Sequence, residues 1–179
     1  MPVPDFSPGE VLTAGAMDSI GLWKVKTQTV GTGVSSVVVP DAFSATYDNY
    51  RIIYMGGSAS LDGELRMTIG AAATGYHMAV PIAAYTGGAA ATVANNNAAF
   101  WGFAGASRTT TNTLIMDIFN PFIADETVIS GTYIGAKTGG VAGAYGGFLN
   151  NTTSYTAFTL TPSTGTLTGG TIRVYGYRN

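Results

Sequence analysis

The chain has 179 residues, enough for one domain with a core of its own, and is 46% hydrophobic but only 10% charged. Its net charge is −2, and its Lys and Arg (Lys24, Lys26, Arg51, Arg66, Arg108, Lys137, Arg173, Arg178) are scattered, which argues against phosphate-dominated nucleic-acid binding. The absence of cysteine excludes disulfides, thiolate catalysis and Cys-based metal sites, and no run of about 18 apolar residues is present to span a bilayer.

The lead comes first in chain order. Ser7-Pro8-Gly9-Glu10 fits a helix start: Ser7 caps, Pro8 suits the first helical position, and Glu10 sits where a capping box places an acid. Val11, Leu12, Met17, Ile20 and Leu22 give an apolar face that Gly9 and Gly15 weaken. A helix this short is marginal alone in water and needs a docking surface. Met1-Pro2-Val3-Pro4-Asp5 has no basic region leading into an apolar core, so no signal peptide is expected.

From Trp23 the apolar period becomes two. Trp23–Val30, Val34–Val39 and Asn49–Met55 read as strands. Leu61-Asp62-Gly63-Glu64 reads as a tight hairpin turn, returned by Leu65–Ile69. His77–Ala84 follows as a strand, and Gly87–Asn97 reads as an exposed low-complexity loop. Ala98–Phe103, Thr113–Phe119, Thr127–Ala136, Gly139–Leu149, Tyr155–Thr161 and Thr171–Tyr177 complete a set of about ten strands with turn signals at short spacing. No helical pattern lies between strands, so the expected fold is all-β: an antiparallel β-sandwich of jelly-roll type. Residues 1–22 form an expected attachment segment and 23–179 the β-sandwich domain.

The charge content lies far below the roughly 25% of an ordinary soluble domain. A surface of Gly, Ser, Thr, Asn and small apolar groups loses little hydration on close contact. That favours obligate assembly over a merely neutral Thr-rich β protein.

Three segments carry a resemblance. The lead, Phe6-Ser7-Pro8-Gly9-Glu10-Val11-Leu12-Thr13-Ala14-Gly15-Ala16-Met17-Asp18-Ser19-Ile20, resembles a segment near the start of tailed-bacteriophage structural proteins. Tyr47-Asp48-Asn49-Tyr50-Arg51-Ile52-Ile53 is similar to an early strand of phage fibre-like β domains, and Gly170–Asn179 to their closing strand. The resemblance implies a virion protein: a tail fibre, tail tip, or head fibre or decoration protein. It further implies a homo-oligomer, commonly a trimer, attached to other virion proteins by its N-terminal segment. The expected anchors are Phe6, Val11, Leu12, Met17 and Ile20. The long shaft of large fibres is missing from this chain, so a short fibre, knob or decoration protein fits its length better.

Little in the sequence speaks for an enzyme. His77 is the single histidine, so no multi-His metal site is available and no Ser–His–Asp arrangement surrounds it. Asp62 with Glu64 and Asp125 with Glu126 read as solvated turns, not as carboxylates facing across a cleft. Asp117 stands out within an apolar strand, pointing outward or toward an intersubunit partner such as Arg108 or Arg173. No Asp-x-Asp-x-Asp-Gly calcium loop occurs. No cofactor is expected, nor any nucleic-acid or membrane partner, and the expected location is the virion. The aromatics near Gly-rich stretches and near Asn95, Asn96, Asn97, Asn150 and Asn151 favour core packing, with an alternative role. In that alternative the chain is a receptor- or carbohydrate-binding module for host surface glycans, with Trp101 and Tyr145 as the stacking residues.

Overall fold

A computed structural model of the chain describes residues 21–87, 90–135 and 140–177. The expected lead and its anchors Phe6, Val11, Leu12, Met17 and Ile20 lie outside the described residues. The described residues are all-β, with fourteen strands.

In chain order the strands are β1 (Leu22–Thr29), β2 (Val37–Val39), β3 (Asn49–Gly56), β4 (Ser58–Ala59), β5 (Gly63–Ile69), β6 (Tyr76–Ala84) and β7 (Ala91–Ala98). There follow β8 (Trp101–Ser107), β9 (Asn112–Phe119), β10 (Thr127–Gly135), β11 (Val141–Leu149), β12 (Phe158–Pro162), β13 (Leu167–Thr168) and β14 (Thr171–Tyr177). Every pairing is antiparallel.

The pairing order defines the fold. One path runs β1-β14-β3-β9, another β2-β12-β5-β8. Set aside the short β4–β13 ribbon and the hairpins β6–β7 and β10–β11, and eight strands remain. Counted along the chain, these pair first with last, second with seventh, third with sixth and fourth with fifth. That folded-over arrangement is the jelly roll. The two omitted hairpins extend the first sheet beyond β9 as β10-β11-β6-β7, giving it eight strands. The two sheets are joined through Ala106 of β8, which pairs with Thr113 of β9.

Alternation decides which side chains meet. Tyr50, Ile52 and Tyr54 of β3, Leu114, Met116 and Ile118 of β9, and Ile172 and Val174 of β14 face inward and are buried. Leu65, Met67 and Ile69 of β5, Phe158 and Leu160 of β12 and Trp101 of β8 meet them from the other sheet. Phe43 closes one end, edge-on to Tyr50 at 5.0 Å and stacked on Phe158 at 5.8 Å. Two tyrosine tips within the core find partners, while the buried hydroxyls of Ser107 and Thr127 have none. The Tyr54 hydroxyl donates to Gly169 O and accepts from the Asn112 amide, and the Tyr145 hydroxyl donates to Ala104 O at 2.8 Å.

Glycines make close approaches possible on β10 and β11. A Cβ on Gly131 would collide with the Tyr145 phenol ring, and one on Gly143 with Pro81 O. Pro81, which has no N–H to give, sits where the β6–β11 ladder lacks pairs between Ala79↔Gly146 and Ala83↔Ala142.

Three expectations need correction. The Asp62-Gly63 hairpin does not form: β3 pairs with β14 and β9, whereas β5 pairs with β12 and β8, so the chain crosses between sheets here. Gly87–Asn97 is not a loop throughout, because Ala91–Ala98 is an edge strand on β6. Its small polar residues lack an apolar signature, and the free ladder of β6 supplies the order. The strand expected over Val34–Val39 shrinks to Val37–Val39, with Val34 making a lone bridge to Leu167.

Candidate functional site

The outer face of the eight-stranded sheet is the candidate site, and its rows follow from the register. One row runs Tyr175, Arg51, Asp117, Ser130, Gly146, Ala79 and Ala94 across seven strands. The next carries Arg173, Ile53, Ile115 and Thr132. Met55, Ile115, Val128 and Ile134 of this face are between 36% and 45% exposed, more than a core would leave open.

At the centre lies a closed polar network. Arg51 Nε and a terminal nitrogen donate to the two Asp117 carboxylate oxygens at 2.8 and 2.7 Å. The Tyr177 hydroxyl donates to the same carboxylate at 2.5 Å. The guanidinium also lies 5.9 Å from the Tyr177 ring centre. Burial works to raise the Asp117 pKa, but the bonds from Arg51 and Tyr177 outweigh it and hold the carboxyl below the usual range. The bond to Asp117 raises Arg51, while burial and the carboxylate together raise Tyr177. Asp117 is outward, as one of the two sequence expectations had it, and within the chain it pairs with Arg51, 66 residues away. Arg51 carried no sequence signal for this role.

Beyond β10 the face drops into a groove of about 490 Å³. Its floor is Gly146 of β11, Ala79 of β6 and Ala94 of β7, all without bulk. One wall is the His77 imidazole stacked on the Phe148 ring, with centres 4.5 Å apart and planes 11° from parallel. Val128 pairs with Phe148, and Glu126 and Asn96 also line the groove, while the Asn95 carboxamide, opposite buried Met78, turns inward and accepts from Gly102 N at 2.8 Å. The backbone N–H of Asn97 donates to His77 Nδ1 at 3.4 Å, which orients the ring.

Trp101 and Tyr145, expected to stack on glycans, are corrected here. Both are buried core residues, at 0% and 4% exposure, beyond a ligand's reach. Trp101 acts from beneath the groove. Its indole N–H is shared between His77 O at 3.2 Å and Phe148 O at 3.3 Å, fixing the two strands that carry the stacked wall. The aromatic residue the groove does present is Phe148, marked in the sequence only by its place after Gly146-Gly147, and His77 carries no sequence signal for this position.

Among the described residues no group of three His, Asp or Glu gathers to hold a metal ion, and no helix is long and apolar enough to cross a membrane. The carboxylates Asp125 and Glu126 lie in an exposed turn, with Asp125 accepting from the Glu126 N–H at 2.8 Å. Comparison with protein-family models, curated proteins and solved structures gives no match for this chain.

Proposed function

We propose that the chain is a non-enzymatic structural protein of a tailed-phage particle, a short fibre, tail-tip or decoration protein. Its N-terminal segment attaches it, and its jelly-roll body is displayed as a homo-oligomer, a trimer. The observation that carries this reading is the outer face of the eight-stranded sheet. It is broad and poor in charge, and Met55, Ile115, Val128 and Ile134 are exposed on it. The central Arg51 and Asp117 already neutralise each other, so a neighbour covering them need not supply counter-charges. Light scattering on the purified chain tests assembly. A mass three times that of one chain is expected and should fall to one chain in Ile115→Lys; a monomer at high micromolar concentration contradicts the reading.

A second reading, receptor or carbohydrate binding, is favoured by the groove beside His77 and Phe148. Adhesion and attachment are compatible, since one end of the molecule can hold the particle while another meets a surface.

A further inference from the structure

We propose that the groove beside His77 seats the Arg173 patch of a second copy of this chain, with Arg173 of one copy paired to Glu126 of the next. The inference rests on the homo-oligomer reading and names the surfaces that meet in it. Two charges on the outer face of the eight-stranded sheet lead to it. Arg173 on β14 and Glu126, just before β10, are both exposed. The ion pairs among the described residues are Lys26 with Asp41 and Arg51 with Asp117, so neither charge is matched within its own copy. Nor can the two meet there. β3 and β9 lie between β14 and β10, a separation of about 14 Å at the usual strand spacing. The Arg173 row reaches β10 at Thr132, which puts Glu126 about 20 Å further along that strand. Together these offsets exceed the reach of the two side chains.

The surfaces around the two charges differ in relief. Arg173 stands in a row with Ile53 and Ile115, between neighbours Tyr175 and Met55, and these side chains project. Around Glu126 the groove of about 490 Å³ has Gly146, Ala79 and Ala94 as its floor and exposed Val128 at its rim. A projecting apolar patch that carries a cation therefore matches a recessed apolar surface that carries an anion. Among the described residues no Lys or Arg lines the groove, so an occupant that strips water from Glu126 must bring the counter-charge. Arg173 suits that role, because its planar fork is weakly hydrated and grips a carboxylate with two bonds. Lys24, also exposed at this end, lies on the edge strand β1 where water solvates it. Since the two patches differ, each copy offers Arg173 to one neighbour and Glu126 to the other. Such a heterologous contact closes a ring when the rotation permits, as a three-fold does.

Charge reversal tests the contact. Glu126→Arg and Arg173→Glu are each expected to weaken assembly about 100-fold or more, since like charges then face each other. The double variant Glu126→Arg/Arg173→Glu restores the pair with reversed polarity and should recover the trimer. Light scattering over a dilution series reads the mass, and thermal melting followed by circular dichroism should find every variant folded, because both positions are exposed. Ala79→Trp, also at an exposed position, fills the groove and should give monomers. Single variants that assemble like the parent, or a double variant no better than the singles, overturn the pairing. Variants that stay trimeric yet lose binding on a glycan array give the groove to a ligand and overturn it as well. The underlying reading fails separately. A monomeric parent removes the homo-oligomer and this contact with it, whereas a dimeric parent that obeys the charge swap keeps the contact and removes the three-fold.

Discussion

Removing Arg51 should destabilise the protein more than removing Asp117, and removing both should cost less than either alone. The Arg51 side chain is 37% exposed and Asp117 22%, so this pair sits between a surface ion pair and a buried one. Exposed pairs are worth about 0–1 kcal/mol, and hydrogen bonds to charged groups about 1.5–3 kcal/mol. Arg51→Met strips the carboxylate of two bonds at 2.8 and 2.7 Å and leaves it only the Tyr177 hydroxyl. About 1.5–2 kcal/mol is expected after discounting for solvent. Asp117→Leu leaves a guanidinium that can swing into water, and about 1 kcal/mol is expected. The double variant Arg51→Met/Asp117→Leu replaces the network with apolar contact beside Ile53 and Ile115, and less than about 1 kcal/mol is expected. Urea unfolding followed by tryptophan fluorescence measures all four proteins, with the m-value unchanged if only native stability moves. A coupling energy below about 0.3 kcal/mol, or Asp117→Leu costing more than Arg51→Met, refutes the reasoning.

Three further outcomes follow from the same geometry. The folded Asp117 pKa lies below its unfolded value, so its contribution is complete above the ordinary carboxylate pKa of about 3.9. That contribution is lost as pH falls through the folded value, so the acid loss of stability should be smaller in Asp117→Asn than in the parent when melting is scanned from pH 6 to pH 2. Trp101→Phe loses the indole bonds to His77 O and Phe148 O as well as volume, and about 2–3 kcal/mol of stability should go with it in urea; the His77 ring signal should broaden. Burial pushes the Tyr76 and Tyr133 phenols up to about 12, and Tyr145 higher still. Alkaline absorbance titration should therefore show these three ionising only with unfolding.

The class of fold was legible because β3, β9, β10 and β14 alternate cleanly along the sequence, and no helical period interrupts them. The jelly-roll order was expected by type, but its pairings are long-range. Leu22 meets Tyr177 and Arg51 meets Asp117 across spans that no local pattern encodes. At Asp62-Gly63 the turn signal was real but weaker than the sheet partners waiting for β5 in β12 and β8. The edge strand β7 was hidden by its Ala, Thr and Asn composition, since its order comes from pairing with β6. Trp101 and Tyr145 misled for one shared reason. Glycine beside an aromatic suggested an exposed loop, whereas Gly131 lies within a strand and is small so that the Tyr145 ring can lie across it. The groove escaped for the converse reason: it is defined by missing bulk at Gly146, Ala79 and Ala94, which sequence reading passes over.

The most direct test of the structural role is the composition and density of purified particles from cells that produce this protein. Quantitative mass spectrometry with cryo-microscopy should find the chain at a fixed copy number per particle, with jelly-roll density at a symmetry-related position. A chain confined to the particle-free fraction, with particles complete without it, would contradict the account.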